Sequence, residues 1–253
     1  MNTHTNSLKT CPVTRRRGLP TITRHCLGLA LSMGLALLAA TFVDTVQADN
    51  ATPKVYGKTI GNWGHAWWQW AFNFPSAGNP ILEDGNVDCS AGQSGEVWYL
   101  AGSFGSKAER TCTIKKGKAV FFPLLNGLYW TPLDPTIPED CTDVLSCRTG
   151  VGESIDKITG WSCTVDNVPC VWFAQVVRAQ SNARRFNIPP GSVATDFGYA
   201  PGVRKISISD GYWVMLNPLP PGEHTIHFTS ASAAFPDFAL DVTYHLTVSA
   251  LKD

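Results

Sequence analysis

Two segments near the C-terminus, EHTIHFTS and DVTYHLTV, alternate apolar and polar residues, the pattern of strands with one buried and one wet face. Ile226 and Phe228 point inward on the first, and Val242, Tyr244, Leu246 and Val248 on the second. His227 and His245 therefore fall on polar faces among threonines, with Asp241 close in sequence. If the strands pair through the 231–238 loop, the two imidazoles become diagonal neighbours within side-chain reach. With Asp241 as a third group they could ligate a metal or form a general acid/base pair. The competing and preferred reading is a Thr- and His-decorated solvent face, because two histidines without a fixed third ligand seldom make a catalytic centre.

Other residue groups offer weaker chemistry. Asp84-x-Asn86-x-Asp88-x-Ser90 spaces oxygen side chains like the opening of a calcium loop. The pattern then departs, with Cys89 in place of the turn glycine and Gly95 where a bidentate Glu should stand, so a solvated acidic loop is preferred. No cofactor is expected, with calcium at this loop the alternative. His65 and Trp68 form a stripe on an aromatic helix and read either as pocket-lining platforms or, preferably, as core with their ring N–H groups bonded to backbone carbonyls. Tyr129 and Trp130, at the root of a long acidic loop, read equally as exposed anchors or core. The sequence has no G-x-S-x-G elbow, no H-E-x-x-H helix and no phosphate-cradling glycine loop.

The elements that must position these residues follow from periodicity. Trp63, Trp67, Trp70 and Phe74 recur at helical spacing, with Thr59 or Asn62 as cap and Pro75 as stop. The block from Gly95 to Asn126 holds two aromatic, β-branched runs, EVWYLAG and KAVFFPLL, around a shorter RTCTI run, and reads as sheet core. WSCTV and PCVWFAQVV about Asp166-Asn167 predict a hairpin, as do VRKISIS and GYWVML about Asp210-Gly211. Between the core block and these strands lies a long loop at about 131–160, with one helical turn at 154–159. The fold class expected is all-β, an antiparallel sandwich of Ig-like or jelly-roll type with one N-terminal aromatic helix.

The chain has 253 residues, and its first 48 read as a signal peptide: a basic stretch with Lys9, Arg15, Arg16, Arg17 and Arg24, an uncharged apolar run from Cys26 to Val43, and a small-residue cut after Ala48. An uncleaved anchor is the competing reading. Cleavage would leave one domain, residues 49–253, with no membrane span and with 15 basic against 19 acidic residues. That mildly acidic balance argues against nucleic acid. Six cysteines remain, Cys89, Cys112, Cys141, Cys147, Cys163 and Cys170, and in a secreted or periplasmic protein they read as three disulfides. Cys89 with Cys112 is the preferred pair.

The motifs GEVWYLAGSFG, Arg110-Thr111-Cys112-Thr113-Ile114 and Gly117-Lys118-Ala119-Val120-Phe121-Phe122-Pro123-Leu124-Leu125-Asn126 resemble a widespread family of exported bacterial proteins without an established activity. The aromatic helix and the GYWVMLNPLPPGEHTIHF and DVTYHLTV segments share the likeness. The resemblance implies export and a compact sheet-rich domain, and carries no catalytic residue with it. The function expected is a non-enzymatic binding protein of the cell envelope or extracellular space, its ligand a carbohydrate or protein. The alternatives are a secreted hydrolase or metal-dependent enzyme acting on a polysaccharide or other polymer, and a self-assembling module that pairs through strand edges. A binding module predicts exposed indoles in one patch; an enzyme predicts a concave pocket where titratable groups converge.

Overall fold

Thr59 opens helix α1 (Ile60–Ala71), its side chain accepting a hydrogen bond from the Asn62 N–H at 3.2 Å. The aromatic stripe is buried as its spacing predicts, and three of its indoles are pinned by N–H donation: Trp63 to the Val55 carbonyl, Trp67 to that of Leu100 and Trp70 to that of Ala91. The computed structural model describes residues 52–172, 174–233 and 235–250, all within one unit, Asn50–Asp253. The expected signal peptide lies outside the described residues.

After α1 come β1 (Val97–Tyr99), β2 (Lys107–Ile114) and β3 (Ala119–Trp130), then α2 (Val144–Ile155). Strand β4 (Ile158–Val165) leads through β5 (Val168–Pro169) and a 3-10 turn at Cys170–Trp172 into β6 (Ala174–Arg178) and β7 (Arg184–Ile188). The short α3 (Val193–Asp196) precedes β8 (Gly202–Leu216), β9 (Gly222–Ser232) and β10 (Phe235–Val248). One sheet runs β1-β3-β8-β6, with β7 also on β8; the other runs β2-β10-β9-β4-β5. The fold is therefore mostly β, in two mixed sheets. The purely antiparallel pattern expected from sequence is not what forms, because β1 lies parallel to β3 and β2 parallel to β10. β2 and β3 are consecutive in the chain but belong to different sheets, so neither makes the hairpin that would have set it antiparallel.

β3 explains why its sequence is so continuously apolar. Its even-numbered residues Val120, Phe122 and Leu124 share a core with Phe228, Val242 and Leu246 of the second sheet, while Phe121 on the opposite face joins the cluster around α1. The Phe122 and Phe228 rings lie 4.8 Å apart, and Phe121 stacks on Trp213 at 5.3 Å. Fully burying rings of this size stabilises by roughly 2–3 kcal/mol each. The six inward residues expected on β9 and β10 are all buried.

Three further expectations are corrected. Asp210-Gly211 makes no turn; β8 runs on through it, paired to β3 from Ser207 to Leu216. The Asp210 carboxylate is buried and accepts hydrogen bonds from Arg178 and Gln180, both at 3.1 Å, which satisfies in mid-strand a residue that would otherwise favour a turn. The hairpin at Asp166-Asn167 exists, with both residues at positive φ (52° and 64°), but pairs only as far as Pro169 before the chain crosses to the other sheet. Within the predicted long loop, residues 144–155 form the twelve-residue helix α2, started by a capping box between Asp143 and Ser146 and anchored by Cys147, Val151 and Ile155. β4 begins at Ile158, where helix was expected. The disulfides are Cys89–Cys112, as preferred from sequence, Cys141–Cys147 and Cys163–Cys170. No helix of the described residues is long and apolar enough to cross a membrane.

Two glycines let α1 approach the sheet. A Cβ at Gly61 would sit 1.9 Å from the Gln180 carbonyl oxygen, and one at Gly64 would sit 2.3 Å from the Trp213 ring. Alanine gains about 1 kcal/mol over glycine inside a helix, but overpacking against a rigid indole costs about 1–3 kcal/mol or more. Gly64→Ala is expected to lower the denaturant midpoint, whereas Gly85→Ala, with nothing within 4 Å of the added carbon, should leave it nearly unchanged.

Candidate ligand-binding cavity

Beside the second half of β3 lies a cavity of about 700 Å³. One wall is Trp67 and Trp68 of α1; others come from the Gly102–Gly105 loop, the end of α2 at Ser154 and Ile155, and Ser232 and Leu240 of the β9–β10 hairpin. Phe104 is 56% exposed and brings this wall to the surface. β3 itself contributes the consecutive residues Leu125, Asn126, Gly127, Leu128 and Tyr129. Side chains of a strand alternate between faces, so an unbroken run of this kind means that the cavity meets the strand's edge.

The hydrogen-bond register shows which edge. β1 covers only Ala119, Val120 and Phe121 of β3. Thr131 donates its N–H to the Ile206 carbonyl, so counting back along the antiparallel register as far as the irregularity at Leu124, Tyr129, Gly127 and Leu125 bond to β8, and Asn126, Leu128 and Trp130 face the other way. The opposite side of β8 agrees, since Ser209 and Gly211 there accept from the N–H groups of Ser181 and Ala179. Side chains close the free edge at both ends: Ser230 donates its hydroxyl to the Leu124 carbonyl at 2.6 Å, and the Trp130 N–H donates to the Asp140 carboxylate at 3.2 Å. Between these caps stand the backbone groups of Asn126 and Leu128, with no strand alongside them among the described residues.

The cavity lining is apolar and aromatic in the main and includes no Asp, Glu, His, Lys, Arg or Cys. Most of its hydroxyls are engaged: Tyr129 with Ser154 at 2.8 Å, Ser103 with the Ser106 carbonyl at 2.6 Å, and Ser232 with that of Lys157 at 3.2 Å. Two donors on lining residues, Asn126 Nδ2 and Trp68 Nε1, are buried without a partner.

The sequence-derived candidates are distributed as follows. Trp68 and Tyr129 line the cavity, whereas Trp130 is core, stacked on Phe186 at 5.5 Å. His65 is buried, its Nε2 2.7 Å from the Ser207 hydroxyl instead of on a backbone carbonyl. Burial pushes its imidazole down to about 4, with the Arg184 guanidinium acting in the same direction. His227 and His245 take the expected diagonal positions, but His227 Nε2 lies 2.9 Å from Asp241 and His245 Nε2 2.9 Å from Glu109 on β2. They form two separate half-exposed imidazole–carboxylate pairs. Asp84 bonds to Ser106, the Asn86 side-chain Oδ1 accepts the Thr111 N–H at 2.7 Å and Asp88 caps Ser90, so the three calcium candidates face different partners. Among the described residues no group of three or more His, Cys, Asp or Glu side chains is placed to hold a metal.

Neither predicted signature is met as stated. Seven of the indoles are buried, and Trp172, 78% exposed, stands apart from the cavity lining. The pocket is concave yet brings no pair of acids or bases together. Sequence reasoning missed Asn126 and the Gly102–Gly105 loop; the one signal present was an aromatic residue, Phe104, set between glycines in GSFG. Comparison with known proteins adds little. No protein-family model matches the chain, and no curated protein matches it significantly. A chain from "Structure of PbICP-C in complex with falcipain-2" is similar at 9% identity and a TM-score of 0.24, over 61% of this chain and 100% of that one, too low a score to support fold or function.

His65 and Asp140 give opposed pH dependences. For His65 the unfolded chain takes up a proton near 6.5 that the folded chain refuses until about 4, so its contribution to stability is present above 6.5 and is lost as the pH falls toward 4. Burial pushes Asp140 up to about 6, against the Trp130 N–H, with Glu139 raising it further and Arg204 opposing, so its contribution is lost as the pH rises through about 6. In urea titrations at pH 7 and pH 4, His65→Gln is expected to raise stability at pH 4 relative to pH 7 by roughly 3 kcal/mol compared with the parent protein.

Proposed function

We propose that the protein is a non-enzymatic, exported binding protein of the cell envelope or extracellular space, built on a sandwich-like scaffold of Ig-like type, that takes an apolar ligand into the cavity beside β3. The observation that carries this reading is a cavity of about 700 Å³, walled mainly by aromatic and aliphatic side chains and lined by no acid–base pair. That volume falls in the usual range of ligand sites, roughly 300–1,000 Å³, and a few fixed polar groups on apolar walls suit orientation and not bond-breaking. Three disulfides fit an oxidising compartment. Burial of the indoles speaks for an enclosed apolar ligand over a sugar laid on an open platform.

The test uses Nile red, a neutral dye whose emission shifts to the blue in apolar surroundings. Saturable binding is expected, with energy transfer from tryptophan, since Trp67 and Trp68 are in the wall. Leu128→Trp, which fills part of the space, should weaken binding about tenfold, ~1.4 kcal/mol, while leaving the thermal midpoint close to that of the parent protein. Absence of saturable binding, or binding indifferent to Leu128→Trp, would overturn the reading.

A further inference from the structure

Resting on the cavity as a binding site, we infer that its ligand is a short, extended, apolar peptide segment that pairs in strand fashion with the free edge of β3 at Asn126 and Leu128.

A general apolar pocket has no need of a strand edge in its wall. Here five consecutive residues of β3 line the space, and the backbone N–H and C=O groups of Asn126 and Leu128 face away from β8 toward it. They offer donor, acceptor, donor and acceptor along one line, the two residues about 6.6 Å apart at the strand rise of ~3.3 Å per residue. Another extended backbone is the ligand whose own N–H and C=O groups repeat at that spacing. The two side-chain caps define the length of the opening. Ser230 on the Leu124 carbonyl and Asp140 on the Trp130 N–H close the edge on either side, leaving one stretch that accommodates about two paired residues of a guest and their neighbours.

The walls agree with this geometry. Alternate side chains of a paired strand point to opposite faces. On one face of the β3 edge Leu128 packs with the aromatic cluster that includes Trp68, and on the other Tyr129 packs with Val151 of α2. Both faces of a guest strand would thus meet apolar surface, so alternate apolar side chains are bound on either side. No charged side chain lines the cavity to demand a charged guest.

The probe is a pooled set of acetylated, amidated pentapeptides of Ala, Val, Leu and Ile with Thr for solubility, scored by displacement of Nile red from the full chain. The best binder is then resynthesised as single N-methyl analogues, and amide exchange at Asn126 and Leu128 is followed with and without it. Methylation at alternate residues is expected to weaken binding tenfold or more and at the intervening residues to leave it unchanged, with exchange at Asn126 and Leu128 slowed. Peptide binding without that two-residue alternation, or with exchange at both amides unchanged, would overturn the inference. Nile red binding that no peptide displaces would also overturn it while leaving the cavity-binding function standing; failure of both dye and peptides would remove both.

Discussion

A strand buried inside a domain must satisfy the hydrogen-bonding groups on both of its edges. β3 is twelve residues long, its β8 edge is paired almost throughout, and its other edge is covered by the three residues of β1 alone. Everything around the cavity follows from that mismatch. The Gly102–Gly105 loop, the end of α2 and the β9–β10 hairpin enclose the space where a neighbouring strand would lie, and two side chains cap the ends of the unpaired stretch.

The enclosure is rigid because its parts are fastened to β8. α1 is drawn onto that strand through Gly64 against Trp213, and its Trp67 and Trp68 are thereby set in the cavity wall. α2 is held from the same strand by a polar network: Asp210 accepts from Arg178 and Gln180, while Arg178 donates to the Gly152 carbonyl and Gln180 to that of Arg148. A buried carboxylate satisfied in this way costs less than an isolated one, and removing its partners would leave it uncompensated. The network therefore positions Ser154 and Ile155 at the cavity without touching it.

The sheet core and α1 were legible because their signals are local. Helical recurrence of Trp63, Trp67 and Trp70, and alternation along β9 and β10, survive any tertiary arrangement. The parallel pairings, the unbroken β8 and the helix α2 were not, since each is decided by partners distant in sequence. Asp210-Gly211 carries the composition of a turn and is held extended by Arg178 and Gln180; residues 144–155 contain Gly150 and Gly152, poor helix formers, and are helical because Cys147, Val151 and Ile155 find a surface to cover. Of the candidate site, Trp68 and Tyr129 were named for their chemistry, but the site's distinguishing feature is a backbone edge, which no side-chain pattern encodes. The histidines drew attention in sequence because imidazoles are chemically versatile; in the fold each of the four among the described residues is paired with its own carboxylate or hydroxyl.

Crystals of the protein exposed to bromobenzene, with the bromine located by its anomalous scattering, bear most directly on whether the space beside β3 receives apolar guests. A bromine peak is expected among Trp68, Leu128 and Tyr129, within van der Waals contact of the free β3 edge. A filled core at that place, or bromine found only at exposed sites such as Trp172, would contradict the account.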